Sequence, residues 1–199
     1  MKKGIIGAGG FGREIYWSLT EEDRQDCIFF VDEQYYDGNN DKIKPISSFN
    51  PNEYELIISI ADSNVREKIV NSLPKNTKYF THIHSSVQIH DPNIQIGEGS
   101  IICSGTILTT NIKIGKHSHL NLMTTIGHDN IIGDYFTTAP GVKISGNSNI
   151  GNKVYFGTNS CNKEKITICD EVIIGLNSGV VKNIDKPGVY VGTPAIKIK

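Results

Sequence analysis

Ile126-Gly127-His128-Asp129-Asn130-Ile131-Ile132-Gly133-Asp134 contains two Ile-Gly pairs six residues apart. Extending that step in both directions gives Ile96, Ile102, Leu108, Ile114, Leu120, Ile126, Ile132, Thr138, Ile144, Ile150, Phe156, Asn162, Ile168, Ile174 and Val180. Thirteen of these 15 positions are large and apolar, Thr138 and Asn162 being the exceptions, and the phase holds over 84 positions without insertion or deletion. The next residue is often small, as at Gly97, Gly115, Gly127, Gly133, Ala139, Ser145, Gly151, Gly157 and Gly175. A fixed period of this kind is the mark of a repeat architecture. One large side chain in six points inward from each short strand, and small neighbours are expected to let the chain turn a corner. A β-sandwich would instead show alternation and turn signals every ~8–12 residues.

Outside this stretch the pattern differs. Residues 1 to about 80 alternate apolar runs with amphipathic ones. Strands are expected at Lys3–Ile6, Cys27–Val31, Glu55–Ile60 and Lys78–Ile83, and helices at Arg13–Leu19 and Val65–Leu73, the second capped by Ser63 or Asn64. Strands alternating with helices imply a parallel sheet. The whole is an α/β Rossmann-like half-domain over residues 1–84, a parallel hexapeptide-repeat solenoid over 85–185, and a tail over 186–199. Pro187 and Pro194 break the period, and the tail is expected to cover the open strand edges of the last coil.

Composition narrows the function. A net charge of −1, from 20 Lys and Arg against 21 Asp and Glu, offers no basic field for nucleic acid. No apolar run approaches the ~18 residues of a membrane span. The start Met1-Lys2-Lys3-Gly4-Ile5-Ile6-Gly7 does not read as a signal peptide. Cys27, Cys103, Cys161 and Cys169 form no Cys-x-x-Cys pair, so a disulfide framework and a metal cluster are not expected and a reducing cytoplasm fits.

Gly7-x-Gly9-x-x-Gly12 follows a strand and opens a helix, the context in which backbone N–H groups bind phosphate. Asp32, at the end of the next strand, could hydrogen-bond a ribose or base. The domain is short for a dinucleotide, and a nucleoside diphosphate suits it better.

The six-residue column, the His128-Asp129 pair, Ala139-Pro140-Gly141-Val142, Ser145-Gly146-Asn147, the tail from Pro187 to Ala195, and the start Gly7-Ala8-Gly9-Gly10-Phe11-Gly12-Arg13-Glu14 together resemble the PglD/NeuD-type sugar acyltransferases over nearly the whole chain. The resemblance implies a left-handed β-helix of three strands and about 18 residues per coil, an exception to right-handed crossovers. It also implies a homotrimer with acetyl-CoA in the clefts between neighbouring helices. It places a nucleotide-linked amino sugar against Gly10, Phe11, Gly12, Asp32, Glu33 and Ala61. Acetyl-CoA contacts carry over to Thr137, Thr158 and Leu176, and Thr137 stands where some relatives have a His. Gly146 and Gly157 suit a close approach of the pantetheine arm.

Acetylating an amine calls for a base with a pKa near neutrality and a donor for the developing oxyanion. By chemistry alone His82, His84, His90, His117, His119 and His128 are near-equal candidates, with a lean to the solenoid. His117 and His119 are two apart and could share a face, as an exposed pair or, as a weaker alternative, a metal-binding one. The resemblance selects His128 as the base and Asp129 as the acid that orients it. Adjacent residues of a straight strand face opposite ways, so this pair can touch only at a corner. The activity implied is acetyl-CoA-dependent N-acetylation of a UDP-linked 4-amino-dideoxy sugar for surface-glycan synthesis. O-acetylation of a sugar hydroxyl, as in the sialic-acid branch, and a catalytically silent nucleotide-sugar-binding solenoid are the alternatives.

Overall fold

The computed structural model describes residues 1–199 and divides into two compact units, Met1–His82 and Ile83–Lys199.

The first unit runs β1 (Lys2–Ile6), α1 (Gly10–Ser18), α2 (Glu21–Gln25), β2 (Ile28–Val31), β3 (Ile43–Pro45), β4 (Tyr54–Ile58), α3 (Ser63–Ser72) and β5 (Lys78–Tyr79). The strands are all parallel, in the order β3-β2-β1-β4-β5. Chain order reverses between β1 and β4, and at such a switch point α/β sheets open a crevice at the carboxyl ends of their strands. Phe30, Leu56 and Ile58 are fully buried on one face of the sheet. The structure departs from the sequence reading in several details: α2 and β3 were not expected, α1 starts at Gly10 rather than Arg13, and β4 ends at Ile58 rather than Ile60. Helix α3 is capped by Asp62, whose Oδ1 accepts from Asn64 N at 2.9 Å and Val65 N at 3.1 Å, rather than by Ser63 or Asn64. The last strand stops at Tyr79 instead of continuing to Ile83.

The second unit is a left-handed parallel β-helix. Its short strands form three faces. The first face carries Ile101–Ile102, His119–Leu120, Thr137–Thr138, Tyr155–Phe156 and Val172–Ile174. The second carries Gln88–Ile89, Ile107–Leu108, Thr125–Ile126, Lys143–Ile144, Cys161–Asn162 and Gly179–Val180. The third carries Gln95–Ile96, Lys113–Ile114, Ile131–Ile132, Asn149–Ile150 and Thr167–Ile168. From Gln95 onward each strand residue of these faces pairs with the one 18 positions on, as Ile126 with Ile144 and Ile132 with Ile150, while Ile89 pairs with Leu108, 19 on. The anchors of the six-residue column therefore form the core, and from Ile102 to Val180 all are buried.

The two polar anchors find partners inside. Thr138 Oγ1 accepts from Asn121 N at 2.9 Å and lies 2.8 Å from Thr124 Oγ1. Asn162 Nδ2 donates to Ser148 Oγ and Lys163 O, both at 2.8 Å. Buried polar groups persist where they are hydrogen-bonded in this way.

The corners correct the expectation about small residues. Every sixth residue from Gly99 to Asn177 has a positive φ, and 11 of these are not glycine, Asn111, Asp129 and Asn147 among them. The left-handed residue falls three after the anchor, not beside it. Asn and Asp tolerate this region best among side-chain-bearing residues. The glycine beside the anchor serves close packing instead: a Cβ on Gly97 would lie 2.5 Å from Gly115 C in the next coil.

The tail continues the first face. Gly188–Val191 adds parallel to Val172–Ile174, and Ile196–Lys197 folds back antiparallel on it. No helix of the structure is long and apolar enough to cross a membrane.

Candidate functional site

In the first unit the candidate nucleotide residues gather at the carboxyl ends of β2, β1 and β4, on both sides of the switch point. Gly7 turns with φ +100° and its N–H donates to Phe30 O at 2.9 Å. The buried Ser59 hydroxyl donates to Ile6 O at 2.8 Å and lies 3.0 Å from Gly7 O, tying the loop to the end of β4. Helix α1 then starts at Gly10 with no side-chain cap, and Gly9 and Gly10 face open space. The backbone there is approachable, and the orphan N–H groups of the first turn suit an anion. Asp32 and Glu33 are exposed after β2, and Ser47 N donates to Glu33 Oε1 at 3.3 Å. That contact with the Ser47 segment holds the Glu33 carboxyl below its usual range. Ala61 lies after β4, where the buried Arg66 donates to Ile60 O at 2.8 Å and Ala61 O at 2.9 Å. Phe11 is half-buried in the first turn of α1.

Gly12 has a different task from Gly9 and Gly10. A Cβ there would stand 2.1 Å from Gly7 O and 2.9 Å from Ser59 Oγ. Gly12→Ala is expected to push α1 away from the loop and to cost ~1–3 kcal/mol, the usual range for overpacking. A thermal melt checks this; an unchanged Tm would mean that the loop yields freely.

In the solenoid, His128 and Asp129 occupy the corner between the second and third faces. Asp129 takes the left-handed conformation, φ +59°, and this bend removes the geometric objection to neighbouring side chains meeting. His128 Nδ1 and Asp129 Oδ2 are 2.7 Å apart, with the side chains 57% and 42% exposed. Asp129 Oδ1 accepts from Asn111 Nδ2 at 2.6 Å. The Asn111 amide first, and His128 second, keep the Asp129 carboxyl below its ordinary range. A carboxylate on Nδ1 favours the tautomer with the proton on Nδ1 and a bare Nε2. Beneath the ring lies Gly146, one coil on, where a Cβ would stand 2.8 Å from His128 Nε2. Gly146 thus makes room for the imidazole. Its own N–H donates to no protein acceptor.

Sequence reading missed Asn130, which is fully buried. Its Nδ2 donates to Gly127 O at 2.8 Å and Ser145 O at 3.1 Å, while its Oδ1 accepts from Ser148 N at 3.1 Å. It braces the corner that carries the pair. Asn111 was also missed, although it stands one 18-residue coil before Asp129.

The remaining candidates lie elsewhere in the coil. Thr158 and Leu176 are exposed and stack one coil apart at the corner between the first and second faces; Asn177 N donates to Thr158 O at 2.8 Å. Leu176 is 70% exposed. Thr137 sits on the first face and is buried. Gly157 packs tightly, its Cβ position 2.6 Å from Leu176 N. Within one chain these residues do not meet His128, from whose corner the width of the second face separates Thr158 and Leu176.

The expectation of an exposed His117–His119 pair is corrected. Both are buried, at 3% and 2% exposure. The His117 ring stacks on Tyr135 with centroids 5.3 Å apart and covers Gly99, where a Cβ would overlap it. His82 is buried with its Nε2 2.8 Å from Ser18 Oγ, and His84 Nδ1 is 2.9 Å from Ser86 Oγ. No group of three or more His, Cys, Asp or Glu is placed to hold a metal ion.

Residues 4–73 match the PglD N-terminal domain family. The GDP-perosamine N-acetyltransferase of Escherichia coli O157:H7 is 30% identical over 174 residues, covering 82% of this chain and 78% of that relative. WeeI from Acinetobacter baumannii AYE is 32% identical and superposes with a TM-score of 0.86 over the full length of both chains. PerB from Caulobacter crescentus, solved in complex with CoA and GDP-perosamine, shares the fold with a TM-score of 0.88 at 19% identity, covering 100% of this chain and 98% of that one.

Proposed function

The chain belongs to the PglD/NeuD-type family of hexapeptide-repeat sugar acetyltransferases, and from that premise we propose that it moves the acetyl group of acetyl-CoA onto the amine of a nucleotide-linked amino sugar. The observation that carries the reading is the His128 corner: a base with its Nδ1 held by a carboxylate and its Nε2 lying over Gly146.

The reaction follows from these groups. The sugar amine attacks the thioester carbonyl carbon. His128 Nε2 takes the proton that the amine loses. The carbonyl oxygen becomes an oxyanion, and the Gly146 N–H donates to it. The C–S bond then breaks, the CoA sulfur leaves as a thiolate, and the imidazolium returns a proton to it. Asp129 holds the ring and steadies the imidazolium between the two steps.

Each unit carries its own group of candidate recognition residues. The uncapped start of α1 at Gly10, Phe11 and Gly12 takes the diphosphate, and Asp32, Glu33 and Ala61 line the nucleoside. Thr137, Gly146, Thr158 and Leu176 line the path of acetyl-CoA. Thr158 and Leu176 occupy a different corner from His128, so a site that uses both draws on two copies of the chain, in keeping with a homotrimer. We place the reaction in the cytoplasm and its product in surface-glycan synthesis. The family resemblance favours a UDP-linked 4-amino-dideoxy sugar, and the relative named for GDP-perosamine makes a GDP-linked amino sugar the second acceptor to try.

The test is product analysis on UDP-, GDP- and dTDP-linked amino sugars incubated with acetyl-CoA. An acetylated product that resists hydroxylamine carries an amide and supports N-transfer. A hydroxylamine-labile product would carry an ester and would replace this reading with O-acetylation.

A further inference from the structure

We propose that Asn111 is a positioning residue for acetyl transfer, fixing the Asp129 carboxylate so that His128 carries its proton on Nδ1 and presents a bare Nε2. The inference rests on reading His128 as the base.

Asn111 and Asp129 stand one coil apart on the same corner, with φ values of 51° and 59°. Asp129 is exposed, and a carboxylate in solvent turns freely about its last bond unless something holds it. The Asn111 amide does so, donating from Nδ2 to Oδ1 at 2.6 Å. The second oxygen, Oδ2, is thereby left facing His128 Nδ1 at 2.7 Å. An amide can supply this contact because it donates without carrying charge; a carboxylate in its place would repel Asp129.

Asn111 is itself held. Asp91 Oδ2 accepts from Asn111 N at 3.0 Å and from Thr110 Oγ1 at 2.9 Å. Asp91 Oδ1 accepts from Asn93 N at 2.9 Å. The Asn111 N–H, followed by those of Asn93 and the Thr110 hydroxyl, pushes the Asp91 carboxyl down to about 2. Asp91, Asn111, Asp129 and His128 thus form one hydrogen-bonded line across successive coils, ending at His128 Nδ1, across the ring from Nε2. The groups that face Asp129 along it are the Asn111 amide and the His128 ring, and no lysine or arginine stands among them.

Two variants test the proposal. Asn111→Gly suits the left-handed backbone and removes only the amide. Asn111→Asp keeps the shape and places a second carboxylate against Asp129. Both are compared with the unaltered full-length protein by steady-state kinetics and by 15N NMR of histidine-labelled protein, the His128 signals being identified from His128→Gln. In the unaltered protein the neutral ring is expected as the Nδ1–H form. Both variants should shift it toward Nε2–H and lower kcat by ~10-fold or more, as loss of an orienting partner does, with KM for either substrate nearly unchanged and Tm preserved. An unchanged tautomer, or an unchanged kcat alongside a shifted tautomer, would overturn it. If His128→Ala retains full turnover, the base assignment fails, and the tautomer measurement still reports separately on whether Asn111 orients the pair.

Discussion

His128→Ala is expected to lower kcat by ~10²–10⁴, the range for loss of a general base, while Tm stays within experimental error. The two halves of that result have separate causes. The side chain is 57% exposed and rests on Gly146, so its removal opens no cavity in the core. The stacked Ile126 and Ile144 beneath the corner stay as they were. The amine proton, however, then has no acceptor at the corner but water. Initial rates and a thermal melt on the same preparation decide the matter. Near-normal turnover would move the base elsewhere, and a large fall in Tm would make His128 a structural residue.

Phe156→Ala should produce the largest loss of stability, ~3–5 kcal/mol as for other buried aromatic truncations. Phe156 is fully buried in the column of anchors, paired with Thr138 on one side and Ile174 on the other. Its ring meets Phe136 edge-on with centroids 6.0 Å apart. Each coil of a solenoid is held mainly by its neighbours, so a cavity here weakens the stack on both sides. Tyr155→Ala, one residue away and pointing outward, serves as the control and should cost less than ~1 kcal/mol. Urea unfolding of both variants measures the difference. Equal losses would mean that the six-residue column does not fill the interior.

The contrast between Phe156 and Tyr155 also explains which parts of the fold were legible. Inward residues repeat at a fixed step because each must fill the same hole, so hydropathy alone reveals them. The corner conformation is not written in hydropathy. Asn111, Met123, Asp129, Lys153 and Glu171 all adopt positive φ, and their chemistries share nothing that a pattern could detect. In the first unit, β2 is a buried apolar run and β1 and β4 end in buried apolar residues, so these strands were legible. Strand β3 is three residues ending in Pro45, too short and too polar to stand out from its loop.

The site divides in the same way. The glycine loop was legible because a tight strand-to-helix turn imposes glycine at fixed spacing, and the requirement at Gly12 is visible in the 2.1 Å that a Cβ there would leave to Gly7 O. The choice of His128 as the candidate base depended on family resemblance, since six histidines offer near-equal chemistry. The contact of His128 with Asp129 depended on a left-handed bend that only coordinates reveal. The burial of His117 beneath Tyr135 was likewise invisible, because a corner residue's exposure depends on what the next coil places over it.

The central claim is that this solenoid passes an acetyl group from CoA to a nucleotide-bound amine. The most direct test is the initial rate of free-thiol release from acetyl-CoA, measured with and without each nucleotide-linked amino sugar. The account predicts release that depends on one acceptor, saturates with it, and matches the acetylated sugar formed mole for mole. Release that is the same with and without every acceptor, or absent with all of them, would contradict it.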